Sequence, residues 1–113
     1  MKKAGQAILS PVALLVGVLI STSCQNTPIS YTEARAIVDR RCVSCHSAKP
    51  TSRAFPVAPQ AVMLDTEPEM KKYARRIEAT VQDGSMPLAN ISGMTDEERR
   101  TLALWVEEGT RIP

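Results

Sequence analysis

Aromatic side chains are scarce in this 113-residue chain. There are four of them in all, namely Tyr31, Phe55, Tyr73 and Trp105. A chain of this length forms at most one domain, and a small domain with few bulky apolar side chains buries too little surface to be stable on its core alone. We therefore expect a covalent staple, or a bound group that fills part of the interior.

The chain also lacks a strong excess of either charge. It has 14 Lys and Arg residues against 12 Asp and Glu residues, and without Lys2 and Lys3 the two totals are equal. Domains that bind nucleic acid usually carry a clear basic excess. The composition therefore argues against nucleic acid as a partner.

No apolar run is long enough to span a bilayer, which takes about 20 residues. The longest run, from Ala7 to Ile20, follows Lys2 and Lys3 and precedes a few small residues and Cys24. A short apolar run between a basic start and small residues is typical of an export signal. We assign residues 1–23 to such a signal.

Cys24 resembles the lipidated cysteine of bacterial lipoproteins, although Ser21 stands where that family usually has Leu. The resemblance implies a lipid anchor at Cys24 and a membrane-attached protein in the periplasm. Residues 24–29 are then a tether, and residues 30–113 form the domain. The alternatives are ordinary cleavage that leaves Cys24 unmodified, and an uncleaved anchor.

Three segments of the domain carry helix start signals and helical apolar periodicity. Each start is a Ser or Thr followed three residues later by Glu, the pattern of a capping box. The three pairs are Ser30 with Glu33, Thr66 with Glu69, and Thr95 with Glu98. We find no strand-like alternation, so the sequence predicts an all-α fold with three main helices. The expected ends are Cys42, Gly84 and Gly109.

The most informative motif is Cys42-Val43-Ser44-Cys45-His46, which follows the first predicted helix. A C-x-x-C-H motif is the attachment site of a c-type haem. The two thiols form thioether bonds to the haem, and the histidine is the proximal ligand of its iron. His46 is also the only histidine in the chain. We therefore predict one covalent haem c, attached at Cys42 and Cys45 and ligated by His46.

Other chemistries are open to two cysteines at this spacing. A structural zinc site needs about four Cys or His ligands, and beyond this motif only Cys24 remains. A thiol–disulfide oxidoreductase places its C-x-x-C at the start of a helix, where the thiol pKa is lowered, whereas here the motif follows a helix. A plain structural disulfide is the third alternative.

A haem iron of this type usually takes a second ligand from a distant loop, most often Met. Met86 lies in the irregular segment 84–94 and is followed by Pro87, which restricts the loop backbone. We predict Met86 as the distal ligand. Met94 is the alternative, and an iron without a Met ligand is a third. Met63 and Met70 fit a core position better.

The order of these features resembles a small monohaem class I cytochrome c over residues 30–113. The segments RCVSCHSAKPTS, APQAVMLDT and MPLANISGMTDEERRTLALWVEEG are similar to the C-terminal cytochrome c domain of bacterial membrane-bound urate oxidases. In those proteins the domain is fused to a multi-span membrane part, whereas here it follows a predicted export signal. The resemblance implies packed terminal helices, a haem crevice, and a loop carbonyl, from Pro56 or Pro59, on the proximal imidazole.

From these features we expect a periplasmic single-electron carrier rather than an enzyme, because His and Met together close both axial positions of the iron. Its partners would be redox proteins, either a dehydrogenase or an oxidase. The alternatives are a thiol–disulfide oxidoreductase that uses Cys42 and Cys45, and a haem-based ligand sensor. A basic face on the second helix is either a solvated surface or a docking surface for an acidic partner. It consists of Lys71, Lys72, Arg75 and Arg76.

Overall fold

The computed structural model describes residues 26–111, together with Gly5. Within this part of the chain there are four α-helices and no strands, so the predicted all-α class is confirmed. The helices are α1 (Tyr31–Arg41), α2 (Glu67–Lys72), α3 (Ala74–Gln82) and α4 (Asp96–Glu107). Two short 3₁₀ turns, Pro59–Ala61 and Leu88–Asn90, lie in the two long connections.

All three predicted capping boxes are present. At the start of α1, the Ser30 hydroxyl accepts a hydrogen bond from the Glu33 backbone N–H at 3.2 Å, and the Glu33 carboxylate accepts one from the Ser30 N–H at 3.0 Å. Each box satisfies backbone donors that have no partner inside the helix. The start signals in the sequence therefore place the starts of α1, α2 and α4 correctly.

The prediction of three helices was wrong at Tyr73, which separates α2 from α3. Tyr73 has φ −101° and ψ 8°, outside helical values, and its N–H donates to both the Glu69 and Lys71 carbonyls. Met70 before the break and Ile77 after it are both buried. Because the buried stripe continues across the break, apolar periodicity alone could not show it.

Helix α4 packs against both α3 and α1, and this contact forms the core of the domain. Trp105 is completely buried, and its ring centroid lies 6.3 Å from that of Tyr31 at an angle of 48°. The other fully buried large side chains are Met70, Leu102 and Val38. Trp105 is therefore the main aromatic contribution to a small core, as expected from the composition.

Glu98 links the start of α4 to the end of α1. Its carboxylate accepts a hydrogen bond from the Arg41 Nε at 2.9 Å and one from the Arg40 Nη2 at 3.1 Å. It also completes the capping box by accepting from the Thr95 N–H at 2.9 Å. Burial raises the pKa of Glu98, but these hydrogen bonds outweigh it and hold the pKa at about 2, below the usual 4.5.

The N-terminal segment contacts the end of α4, because the Ile29 backbone N–H donates to the Glu108 carboxylate at 2.8 Å. Residues 26–29 of the predicted tether are described, whereas the predicted export signal and Cys24 lie outside the described residues. Among the helices that are described, none has the length and apolar character needed to cross a membrane.

We predict that Glu98→Gln lowers the free energy of unfolding at pH 7 by about 1–2 kcal/mol, since it weakens charge-assisted hydrogen bonds that are partly screened by solvent. The folded pKa lies below the unfolded value. The stabilisation is therefore present above pH 4.5 and is lost as the pH falls towards about 2. Denaturant unfolding of wild type and variant at several pH values measures this difference.

Glu97→Gln is the matched control, because Glu97 is the exposed neighbour in the same helical turn. The free energies of unfolding of wild type and Glu98→Gln should converge at low pH. The free energy of unfolding of Glu97→Gln should follow that of wild type at every pH. Equal pH dependence in both variants would show that Glu98 does not link the two helices energetically.

Candidate functional site

The C-x-x-C-H motif forms a tight turn directly after α1. The Cys42 N–H continues the helix by donating to the Val38 carbonyl at 2.9 Å. The Cys42 carbonyl then accepts hydrogen bonds from the Cys45 N–H at 3.1 Å and from the His46 N–H at 2.9 Å. Cys42 and Cys45 are free thiols and both are partly exposed. The end of α1 therefore brings the three predicted site residues together in one turn.

The His46 imidazole is oriented by the backbone of residues 62–64. Its Nδ1 lies 2.9 Å from the Val62 carbonyl oxygen, and the Leu64 N–H donates to the His46 carbonyl at 3.0 Å. A carbonyl can only accept a hydrogen bond, so Nδ1 carries a proton, and in the neutral imidazole Nε2 is the nitrogen with the free lone pair. His46 is therefore prepared to ligate a metal through Nε2.

The expectation that Pro56 or Pro59 supplies this carbonyl was wrong, since Val62 supplies it. Val62 and Leu64 are both buried in the core, which holds this segment against the rest of the domain. Arg35 of α1 also donates to the Leu64 carbonyl at 2.6 Å. The segment is short, apolar and free of helical periodicity, and these properties gave no indication of which carbonyl would face His46.

Met86 lies in the loop between α3 and α4, as predicted. Its backbone N–H donates to the Thr80 carbonyl at 3.1 Å, and its carbonyl accepts a hydrogen bond from Arg99 at 2.8 Å. The peptide bond between Met86 and Pro87 is cis. Met94, the alternative ligand, is only 3% exposed and belongs to the core. Of the two predicted candidates, Met86 is the one that reaches the cavity.

Two cavities meet at this site and share four lining residues, which are Cys42, His46, Pro59 and Met86. The larger has a volume of about 330 Å³ and the smaller about 80 Å³. Their lining is mostly apolar. The larger cavity opens to solvent at Leu88 and Ile91, which are 53% and 77% exposed. An apolar cavity of a few hundred Å³ with a few polar groups is typical of a cofactor site.

The residues around the cavity fit a c-type haem. The two thiols and the imidazole that such a group requires line the larger cavity together with the Met86 thioether. The lining also includes Ser92, whose hydroxyl oxygen is buried and has no hydrogen-bond partner among the described residues. Buried polar atoms are normally paired, so this one indicates that the protein atoms alone do not complete the wall.

The electrostatics of Cys42 do not favour a reactive thiolate. Burial raises the pKa of the Cys42 thiol to about 11, and the nearby positive charge of Arg35 offsets only part of this. Thiol–disulfide enzymes depend on a cysteine whose pKa is lowered.

Among the described residues there is no group of three or more His, Cys, Asp or Glu side chains arranged to hold a metal ion.

The predicted basic face spans α2 and α3, and all four of its side chains are exposed. Two of its charges have acidic neighbours on the same surface, since Lys71 lies 3.6 Å from Glu67 and Arg75 lies 3.4 Å from Glu78. Lys72 stands over the Tyr73 ring at 5.1 Å. The face is therefore exposed and partly neutralised by neighbouring carboxylates.

Comparison of the chain with protein-family models, with curated proteins and with solved structures found no match. The function must therefore be inferred from the residues and the geometry of the site.

We predict that the Cys42 thiol of haem-free protein ionises with a midpoint near 11. The measurement is the pH dependence of the alkylation rate of Cys42 in a variant that carries Cys24→Ser and Cys45→Ser, with circular dichroism on the same samples to confirm the fold. The Cys42→Ser variant serves as the matched control for the other thiol. A midpoint for Cys42 well below the usual cysteine value would favour the thiol–disulfide oxidoreductase instead.

Proposed function

We propose that this protein is a periplasmic single-electron carrier with the fold of a small monohaem class I cytochrome c. One observation carries the proposal. The imidazole of His46, with its Nδ1 bonded to the Val62 carbonyl, lines the same apolar cavity as the Met86 thioether, directly beside two free cysteines. The motif supplies the attachment chemistry, and the fold supplies a cavity next to it.

In this proposal, Cys42 and Cys45 would hold haem c through thioether bonds, and His46 and Met86 would be the ligands of its iron. Bound there, the haem would supply an iron that exchanges one electron between Fe(II) and Fe(III). The thioether of Met86 would favour the reduced state more than a second nitrogen ligand would. Because the chain would supply both of these ligands, no position on the iron would be left open for a substrate.

The surroundings of His46 support a role as a fixed ligand. The bond from Nδ1 to the Val62 carbonyl sets the tautomer and the ring orientation. A second bond, from the Leu64 N–H, holds the His46 backbone. Because the ring cannot turn without breaking the Nδ1 contact, it keeps its position through a change of charge at the site. A carrier benefits from such rigidity, since little rearrangement accompanies each transfer.

The proposed location and partners rest on the sequence alone. The predicted export signal in residues 1–23 and the predicted lipidation of Cys24 would place the domain at the periplasmic face of a membrane. There it would exchange electrons with a redox protein, either a dehydrogenase or an oxidase. The exposed basic face of α2 and α3 is available to an acidic partner, and this contact would weaken with added salt.

We predict that the mature protein carries one covalent haem and a lipid, and intact mass spectrometry measures both. The reduced protein should show the α-band of a c-type haem, and it should not bind carbon monoxide readily because both axial positions are filled. A mass that is lower than that of the unmodified mature chain by two hydrogens, with no haem added, would indicate a Cys42–Cys45 disulfide and contradict the proposal. Rapid binding of carbon monoxide would favour the ligand sensor.

We further predict that Met86→Leu abolishes the Met–iron charge-transfer band of the ferric protein, because the thioether is replaced by a side chain of similar volume that cannot ligate. Met94→Leu is the matched control and should keep the band, since Met94 lies in the core. Absorption spectra of the two purified variants show whether Met86 or Met94 is the distal ligand. Loss of the band in Met94→Leu alone would assign the distal ligand to Met94.

A further inference from the structure

Arg99, in the first turns of α4, donates hydrogen bonds to three separate points around the Met86 loop. Its Nη1 donates to the Val81 carbonyl at 2.9 Å and to the Met86 carbonyl at 2.8 Å. Its Nη2 lies 3.3 Å from the Asn90 side-chain oxygen. One guanidinium group therefore contacts the last turn of α3 and two points, Met86 and Asn90, in the connection between α3 and α4.

The three acceptors of Arg99 belong to the end of α3, to Met86 and to the residue that closes the loop. The Val81 carbonyl belongs to the last turn of α3, where carbonyls lack a partner within the helix and attract positive charge. Asn90 closes the end of the loop, because its side chain accepts from the Met94 N–H at 2.9 Å and donates to the Met94 carbonyl at 3.2 Å. Arg99 connects these two ends through the Met86 carbonyl between them.

The backbone of Met86 is consequently held on both sides. Its N–H is bonded to the Thr80 carbonyl and its C=O to Arg99. The direction in which a side chain leaves the backbone is set by the peptide groups on either side of it. Fixing both groups therefore restricts where the Met86 thioether can lie. Only one of the two contacts comes from a side chain, so only that one can be removed cleanly by substitution.

The chemistry of the contact favours arginine in particular. A guanidinium group carries five N–H donors in a rigid plane and can serve several acceptors at once, whereas an ammonium group is a single point on a flexible stem. The acceptors of Arg99 are all neutral oxygens. In contrast, Arg40 and Arg41 are paired with the Glu98 carboxylate on the neighbouring residue.

We propose that Arg99 is a positioning residue that holds Met86 in place as the distal ligand. This inference rests on the proposed function, because it requires Met86 to bind the iron. Arg99 does not itself line either cavity that the candidate site comprises. It acts on the site only through the loop, by making release of the thioether less favourable.

The test uses the haem-loaded full chain and imidazole, which competes with the thioether for the ferric iron. Arg99→Gln should bind imidazole about tenfold more tightly than wild type, the effect expected for loss of about one net hydrogen bond. Arg99→Lys keeps the positive charge but not the planar guanidinium group, so its imidazole affinity should lie between those of wild type and Arg99→Gln. Arg100→Gln is the matched control for charge, since Arg100 is the exposed next residue, and it should stay within about twofold of wild type.

The same substitution in a Met86→Ala background separates positioning from a general effect on folding. Without the thioether there is no ligand to release, so Arg99→Gln should no longer change the imidazole affinity. An equal change in both backgrounds, or no difference between Arg99→Gln and Arg100→Gln, would overturn the inference. If Arg99→Gln fails to fold by circular dichroism, Arg99→Lys and its Met86→Ala double variant give the same comparison.

Failure of the proposed function has a different signature. A wild-type protein without covalent haem, or one whose imidazole affinity is unchanged by Met86→Ala, shows that Met86 is not a ligand. The inference about Arg99 then fails together with the proposed function. Failure of the inference alone leaves the wild-type Met–iron band and the Met86→Ala effect intact.

Discussion

The packing of α4 against both α1 and α3 is the constraint on which the rest of this structure depends. Trp105 and Leu102 bury one face of α4 completely, and this fixes where its first turn lies. Two neighbouring residues of that turn then reach in different directions. Glu98 binds the end of α1, from which the cysteine motif follows, and Arg99 binds the loop that carries Met86. A single helix thereby sets the relative position of both halves of the candidate site.

The third part of the site comes from the middle of the chain. Residues 62–64 have no regular structure, yet their buried side chains anchor them and their backbone groups make two hydrogen bonds to His46. The same short segment therefore contributes side chains to the core and a carbonyl that orients the imidazole. It also explains how a domain with so few aromatics reaches a defined structure around a cavity. In the proposed function, covalent haem would fill that cavity and bury apolar surface in the folded state.

Local signals in the sequence were sufficient for the parts of the fold that depend on neighbours along the chain. The capping boxes at Ser30, Thr66 and Thr95 predicted three helix starts, because each box is made within four residues. The turn at Cys42 likewise needs only the end of α1 and the motif itself. The break at Tyr73 was missed, since the apolar stripe on either side of it is unchanged. The resemblance to a cytochrome c implied a cavity beside Met86. Met94 does not line this cavity because its side chain is buried in the core, and its position in the sequence did not show this.

What the sequence by itself determined is the chemistry available to this protein: the two thiols of one motif, one imidazole and a loop methionine, in a domain of the all-α class on a chain with nearly balanced charge. The tertiary structure alone decided which distant groups hold them. The Val62 carbonyl faces His46 across 16 residues, and the Arg99 guanidinium reaches Met86 across 13. The physical reason is that a carbonyl is present at every residue and an arginine side chain is long and flexible. Neither has a local signature, and only the packing of α4 and the 62–64 segment selects its partner.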